Sequence, residues 1–254
     1  MTDDDDRPVA GALSRMVERA PAHLMDRIAA QWAYVEGPVE DVYVAFTPDG
    51  ISSVVPASTV SGAEVFAAEF SRRFGRPLFR AARPPAGVEQ ALRSGRATGL
   101  RFDLHDLTPF EQAVLAATLQ IPPGELRPYA WVAGQIDRPR AVRAVGTALG
   151  NNPIPVLIPC HRVIRSDGNV GQYGFGQEMK RRLLDGEGVD VDLVEAMVRG
   201  GAHFVGDAST RVVCMPTCHR IRVTADGDRQ AFASLDEARR SGFRTCADCR
   251  PVGR

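Results

Sequence analysis

The first 159 of the 254 residues hold no cysteine, and among 31 lysines and arginines only Lys180 is a lysine. No run of about 18 apolar residues occurs, so a membrane-spanning helix is excluded and no membrane partner is expected. The N-terminus, Met1-Thr-Asp-Asp-Asp-Asp-Arg-Pro, lacks the basic and then apolar stretches of a secretory leader, so a cytoplasmic protein is expected. There is no internal repeat. Hydrophobic content of 44% and charged content of 24% exclude a fully disordered chain. Net charge is also missing, with 31 cations against 31 anions, which at first sight argues against nucleic acid as a partner.

The zero hides a segregation. Residues 1–106 carry 12 basic and 15 acidic side chains, whereas 127–182 carry 9 basic and 3 acidic, net +6. Those cations are almost all arginine, which makes forked contacts to phosphate and stacks on bases. The cysteines are segregated too. Cys214 and Cys218 form C-x3-C, Cys246 and Cys249 form C-x2-C, and Cys160 stands alone. An odd count without a leader argues against a disulfide framework. The chain therefore poses two chemical questions.

Residues 1–7 read as an acidic tail. Leu13, Met16, Val17, Leu24, Ile28 and Trp32 have helical spacing broken by Pro21, predicting a surface helix pair that ends at Gly37-Pro38. Two alternating runs flank Thr47-Pro48-Asp49-Gly50 and predict a β-hairpin over 41–55. Residues 61–74 read as a helix. Thr108-Pro109-Phe110-Glu111 is a capping box that starts a helix running to Leu119. Tyr129–Ile136 and Pro139–Leu149 outline a helix-turn-helix, with Gly150 as the second helix's cap. Taken alone, such an outline reads first as an ordinary helical hairpin. Residues 168–176 form a Gly-rich loop, 180–184 belong to a helix ending near Gly186, 190–198 add a short helix, and Gly200-Gly201 is the candidate linker.

Cys160 sits in an apolar segment pinned by Pro153, Pro155 and Pro159. Burial alone would make it an inert core thiol. The adjoining His161 and Arg162 can generate or stabilise a thiolate, and the prolines hold the backbone in one shape. Both readings stand on these residues alone.

The blocks Asn152-Pro-x-Pro and Ile158-Pro-Cys-His-Arg-Val163 resemble the active-site signature of the 6-O-alkylguanine-DNA alkyltransferases. Ala141 to Gly146, Gly171-Gln-Tyr-Gly174 and Leu183 to Gly188 follow in the family's order, and the similarity covers roughly residues 38–188. The resemblance implies binding of alkylated double-stranded DNA, flipping of the damaged guanine, and irreversible transfer of its alkyl group to Cys160 by a single-turnover methyltransferase. A base atom inside the stack is out of reach, so extrusion is the physical requirement. By position, His161 would deprotonate Cys160, Glu187 would orient His161, and Asn152 would hinge the two DNA-facing elements. Tyr129 would drive nucleotide rotation, Arg143 would fill the vacated stack, and Arg162 would contact substrate or DNA. Pro155, Tyr173 and Gly174 would line the base pocket. Pro128 and Gly174 depart from the family, which often has a small hydroxyl residue and a serine there. No cofactor is needed at Cys160, and a monomer is expected.

Two thiol pairs separated by 27 residues are metal spacing, and four thiolates suggest tetrahedral zinc. Ser234-Leu-Asp-Glu237 is a second capping box, starting a helix that ends at Gly242. Val213 to His219 and Gly242 to Pro251 resemble the zinc domain of the bacterial adaptive-response (Ada) proteins. That resemblance implies zinc on Cys214, Cys218, Cys246 and Cys249, with Cys214 a second acceptor from methyl phosphotriesters. Ser209-Thr210-Arg211, Met215 and Thr245 depart from that family's pattern, and a structural zinc is the alternative.

The expected architecture has an acidic tail and helices over 1–37, then an α/β ribonuclease-H-like domain over 38–106. A helical helix-turn-helix catalytic domain follows over 107–199, and a small α+β zinc-binding domain over 200–254. Two other classes are a lesion-recognition protein, disfavoured by the presence of Cys160, and a cysteine hydrolase, disfavoured by the DNA-facing Tyr129 and Arg143.

Overall fold

Strand β1 (Ala30–Val35) buries residues on both of its faces, because the sheet it joins is covered on each side. The computed structural model describes residues 28–167 and 169–252. The acidic tail and Leu13, Met16, Val17 and Leu24 lie outside the described residues. The helical reading does not extend to Trp32, which is in the middle of β1, paired with Ala45 of β2 (Val42–Thr47). Its ring packs edge-on to Tyr43 at 5.4 Å and to Phe66 at 6.2 Å, so cross-strand aromatic packing overrides the helical spacing.

The hairpin forms as expected, with β3 (Gly50–Pro56) antiparallel to β2. Gly50 has φ +145°, and a Cβ there would stand 2.5 Å from the Arg101 carbonyl oxygen, so the turn admits only glycine. Helix α1 (Ala63–Phe74) lays Phe66 and Phe70 on one face of the sheet. Strand β4 (Leu78–Arg80) runs parallel to β1, giving the order β3-β2-β1-β4. On the other face, Val35, Val44 and Ile51 pack with α2 (Val88–Ser94) and α3 (Pro109–Thr118).

Thr108 and Glu111 cap α3 reciprocally, Thr108 N–H donating to Glu111 Oε2 at 3.0 Å and Glu111 N–H to Thr108 Oγ1 at 3.3 Å. The two short strands β5 (Arg127–Pro128) and β6 (Val163–Ile164) pair in parallel, one leading into the helix pair and the other following Cys160. Helices α4 (Tyr129–Gln135) and α5 (Val142–Gly150) flank a turn in which Asp137 has φ +56°. Helix α5 starts at Val142 rather than Pro139, since Pro139 and Arg140 belong to a turn closed by Ala141 N–H on Arg138 O. Gly150 is the last helical residue and not the cap. Asn151 takes that place at φ −89°, and its side chain donates to Glu111 at 3.1 Å.

Helices α6 (Gln177–Gly186) and α7 (Val191–Arg199) follow, α7 capped by Asp190 accepting from Leu193 N–H at 2.9 Å. The last part is a four-stranded sheet, β7 (Phe204–Asp207), β8 (Val212–Cys214), β9 (Arg229–Phe232) and β10 (Arg244–Thr245). Its order is β10-β8-β7-β9, and short helices α8 (His219–Val223) and α9 (Leu235–Arg240) complete it. Ser234 caps α9 by accepting from Glu237 N–H at 3.1 Å, while Glu237 reaches back to Ala233 N–H at 2.8 Å. On either side of Gly200-Gly201, Phe204, Val213 and Phe243 share one buried cluster with Val114, Trp131 and Val145.

Candidate active site and metal centre

The sheet reaches the site through its edge. Val54 N–H of β3 donates to the Pro153 carbonyl at 2.9 Å, fixing the chain just after Asn152. Asn152 then organises the following segment. Its Oδ1 accepts from Ile154 N–H at 3.0 Å, and its Nδ2 donates to Ile158 O at 3.0 Å and to Cys160 Sγ at 3.2 Å. Val156, between Pro155 and Cys160, has φ +70°, a conformation that costs a β-branched residue about 1–3 kcal/mol. Cys160 opens a single 3-10 turn, Cys160–Arg162, and is 8% exposed. Burial pushes its thiol up, against the Asn152 hydrogen bond and the Lys180 charge.

His161 is buried beside it. Its Nε2 donates to Glu187 Oε1 at 3.0 Å, which leaves Nδ1 as the basic nitrogen of the neutral ring. That Nδ1 makes no hydrogen bond among the described residues. Burial lowers the His161 pKa, and the Glu187 carboxylate opposes this. Glu187 is the hub. Burial would raise its pKa, but donors on His161 and Arg162 outweigh it and hold the carboxyl down to about 2. Gly124 N–H gives it a further donor at 3.1 Å.

Arg162 does not lie where a DNA contact requires. It is 2% exposed, with Nε and Nη2 on Glu187 at 2.7–3.1 Å, Nη1 on Ile121 O at 2.7 Å and Nη2 on Gly95 O at 2.7 Å. A guanidinium with its donors committed inside the fold orients Glu187 and does not meet a phosphate.

The other expected residues divide by exposure. Arg143 is exposed on α5, and its guanidinium makes no hydrogen bond or ion pair among the described residues. Tyr129 is half-buried at the start of α4, where a Cβ on Gly146 would lie 3.9 Å from its ring. Burial raises its pKa, as does the nearby Cys160 thiolate charge. Pro155 is buried. Tyr173 is half-buried, its hydroxyl enclosed and without a partner among the described residues, while Gly174 beside it is exposed.

Sequence reasoning missed Lys180 as a site residue. It is fully buried, and its Nζ donates to Val163 O at 2.7 Å and Val170 O at 2.6 Å. Burial lowers its pKa to about 8, against the pull of a Cys160 thiolate. The available signal was a lone lysine in an arginine-rich chain, three positions before Leu183 on an otherwise amphipathic helix.

The second cysteine group also assembles. Strand β10 pairs in parallel with β8, Thr245 opposite Val213, which sets Cys246 next to Cys214. All four cysteines are buried, with sulfurs within 4.8 Å of one another. Tetrahedral zinc with Zn–S near ~2.3 Å would draw such a set to ~3.8 Å separations, so the donor set fits the ion. Met215 N–H donates to Cys249 Sγ at 3.3 Å, as expected beside a thiolate ligand.

Residues 109–189 match the family described as 6-O-methylguanine DNA methyltransferase, DNA binding domain, and residues 198–252 match the metal binding domain of Ada. A methylated-DNA–protein-cysteine methyltransferase of Methanothermobacter thermautotrophicus is 32% identical over 164 residues, covering 61% of this chain and 84% of that protein. The chain belongs to the methylated-DNA–protein-cysteine methyltransferase family. The Mycobacterium tuberculosis methyltransferase is 51% identical over 78 residues, and the matched stretch spans 31% of this chain and 47%, about half, of that relative. A solved structure of the Mycobacterium tuberculosis protein in complex with DNA superposes with a TM-score of 0.51 at 29% identity, covering 65% of this chain and 98% of that one. The methyltransferase matches take in Asn152, Cys160, His161 and Glu187, and the Ada match takes in all four clustered cysteines. Among the described residues no helix is long and apolar enough to cross a membrane.

Proposed function

We propose that this chain repairs alkylated duplex DNA by direct reversal, moving the alkyl group from oxygen-6 of guanine to Cys160. The observation that carries the reading is one buried line of contacts, Asn152 on Cys160 Sγ and Glu187 on the adjoining His161. As the S–C bond forms, the C–O bond breaks and the base leaves with its electron pair. The thiol proton passes, through a water, to His161 Nδ1, and Glu187 stabilises the imidazolium. The enclosed Tyr173 hydroxyl is free to donate to the departing oxygen, and Lys180 supplies positive charge while the thiolate exists. The thioether is stable, so each molecule turns over once.

Access to the base requires flipping. The α4–α5 pair is read as a helix-turn-helix entering the duplex, with Tyr129 crowding the target phosphate and Arg143 stacking in the gap. The N-terminal sheet is read as ribonuclease-H-like, within the expected boundaries 38–106, 107–199 and 200–254. Binding is expected to be monomeric, cytoplasmic and mainly through phosphates.

The four-cysteine centre is read as a zinc site. A bound zinc would supply folding energy and keep its four sulfurs deprotonated. Cys214 is the finer candidate, a second acceptor from methyl phosphotriesters. Its side chain is as buried as those of the other three cysteines.

The test is incubation with duplex carrying labelled 6-O-methylguanine, or separately a labelled methyl phosphotriester, followed by mapping of the label. Label on Cys160 from the first substrate, and none in Cys160→Ser, is expected. Transfer by Cys160→Ser overturns the assignment, and label on Cys214 from the second substrate decides the second activity.

A further inference from the structure

Residues 121–131 touch the alkyl-transfer site on one side and the four-cysteine centre on the other. On the first side, Ile121 O accepts from Arg162 and Gly124 N–H donates to Glu187. Gly124 has φ +75°, a left-handed conformation that favours glycine, and a Cβ there would stand 3.0 Å from the Glu187 carbonyl oxygen and 2.6 Å from Arg222 Nη1 of the metal-binding part. On the second side, Leu126 N–H donates to Thr217 Oγ1 at 2.7 Å, next to Cys218. Trp131 Nε1–H, two residues beyond Tyr129 on α4, donates to the Cys249 carbonyl at 2.8 Å.

Glu125 lies between them. It is 2% exposed, pairs with Arg127, and accepts from both the backbone N–H and the ring Nδ1 of His219 at 3.1 Å. His219 directly follows Cys218. Glu125, Cys218 and His219 come close enough together to suggest a second ion. However, Cys218 belongs to the four-thiol set, and the Glu125 oxygen is occupied by the His219 donors.

A buried carboxylate depends on every donor it has. Two of those donors to Glu125 exist only while the loop after Cys218 keeps its shape, and in a part of about 55 residues that shape depends on metal. We propose that Glu125 is a positioning residue through which the metal centre holds the alkyl-transfer site in shape. This rests on the alkyl-transfer reading above. Loss of the ion would release the His219 donors, move the 122–126 loop, take Gly124 N–H from Glu187 and loosen the support of His161. The fused zinc part then serves the reaction at Cys160 whether or not Cys214 reacts.

The experiment compares the full chain, zinc-loaded and after removal of zinc by a chelator. It measures single-turnover transfer to Cys160 against pH and amide hydrogen exchange over 121–131. Metal removal is expected to slow transfer by about tenfold or more, the scale seen when partners of metal ligands are lost, and to abolish protection over 121–131. Glu125→Gln and Thr217→Val, with zinc content confirmed as unchanged, are expected to slow transfer in the same sense. They should also move the acid limb of the rate profile to lower pH, as Glu187 releases its hold on His161. If Glu125→Gln fails to fold, Thr217→Val carries the test. Unchanged rate and unchanged protection in the metal-free chain, or wild-type rate and pH profile in the folded variants, overturn the proposal. Absence of any transfer by the zinc-loaded wild type refutes the alkyl-transfer reading instead, and the exchange comparison still decides whether the metal centre holds 121–131.

Discussion

Glu187 and Arg162 form a forked ion pair inside the protein, with Arg162 Nε 2.9 Å from Oε2 and Nη2 2.7 Å from Oε1. Oε1 also accepts from His161 Nε2 at 3.0 Å. One carboxylate therefore ties the base beside Cys160 to a cation that spans Ile121 and Gly95.

Glu187→Gln should lower the rate of transfer to Cys160 by a factor of roughly 100 or more, because the imidazolium loses its counter-charge. Its stability effect has a defined pH window. The folded carboxyl lies at about 2, below its ordinary value of 4.5, so its contribution is complete above 4.5 and lost as pH falls towards 2. The stability advantage of wild type over Glu187→Gln in urea should shrink by roughly 3 kcal/mol across that window.

Arg162→Lys keeps the charge but loses the fork and the reach to Ile121 and Gly95. It should cost roughly 1–3 kcal/mol for each carbonyl left unpaired at Ile121 and Gly95. The folded fraction should bind duplex DNA with unchanged affinity and salt slope. A weakened salt slope would show that Arg162 meets phosphate after all.

Lys180→Met should slow transfer and destabilise the chain by roughly 1–3 kcal/mol for each carbonyl left unpaired at Val163 and Val170. The folded ammonium has a pKa of about 8, against 10.5 for the group in water. Between those values the unfolded chain holds the extra proton, so wild type should gain stability relative to Lys180→Met as pH rises from 8 to 10.5. Denaturant midpoints at pH 7.5 and pH 10 check this.

Arg143→Ala removes a guanidinium with no hydrogen bond or ion pair among the described residues and should change stability by no more than about 0.5 kcal/mol. Repair of duplex DNA should fall sharply, while reaction with the free methylated base stays near wild type. Equal loss on both substrates would remove Arg143 from the base-flipping step.

The sequence by itself determined the local elements whose causes are local. The capping boxes at Thr108 and Ser234, the hairpin at Thr47–Gly50 and the two cysteine pairs needed only near neighbours to be legible. Trp32 departs from its helical spacing because that spacing is local, while its partners Tyr43 and Phe66 arrive from another strand and from a helix. Only the tertiary structure decided that Arg162 points inward, that Lys180 supports the loop beside Cys160, and that the chain after Gly201 is packed onto α4. Each depends on a partner brought in from far along the chain: Glu187 for Arg162, Val163 and Val170 for Lys180, Cys249 for Trp131. Burial turns those distant partners into requirements, since an arginine or lysine removed from water must find its acceptors wherever the fold presents them.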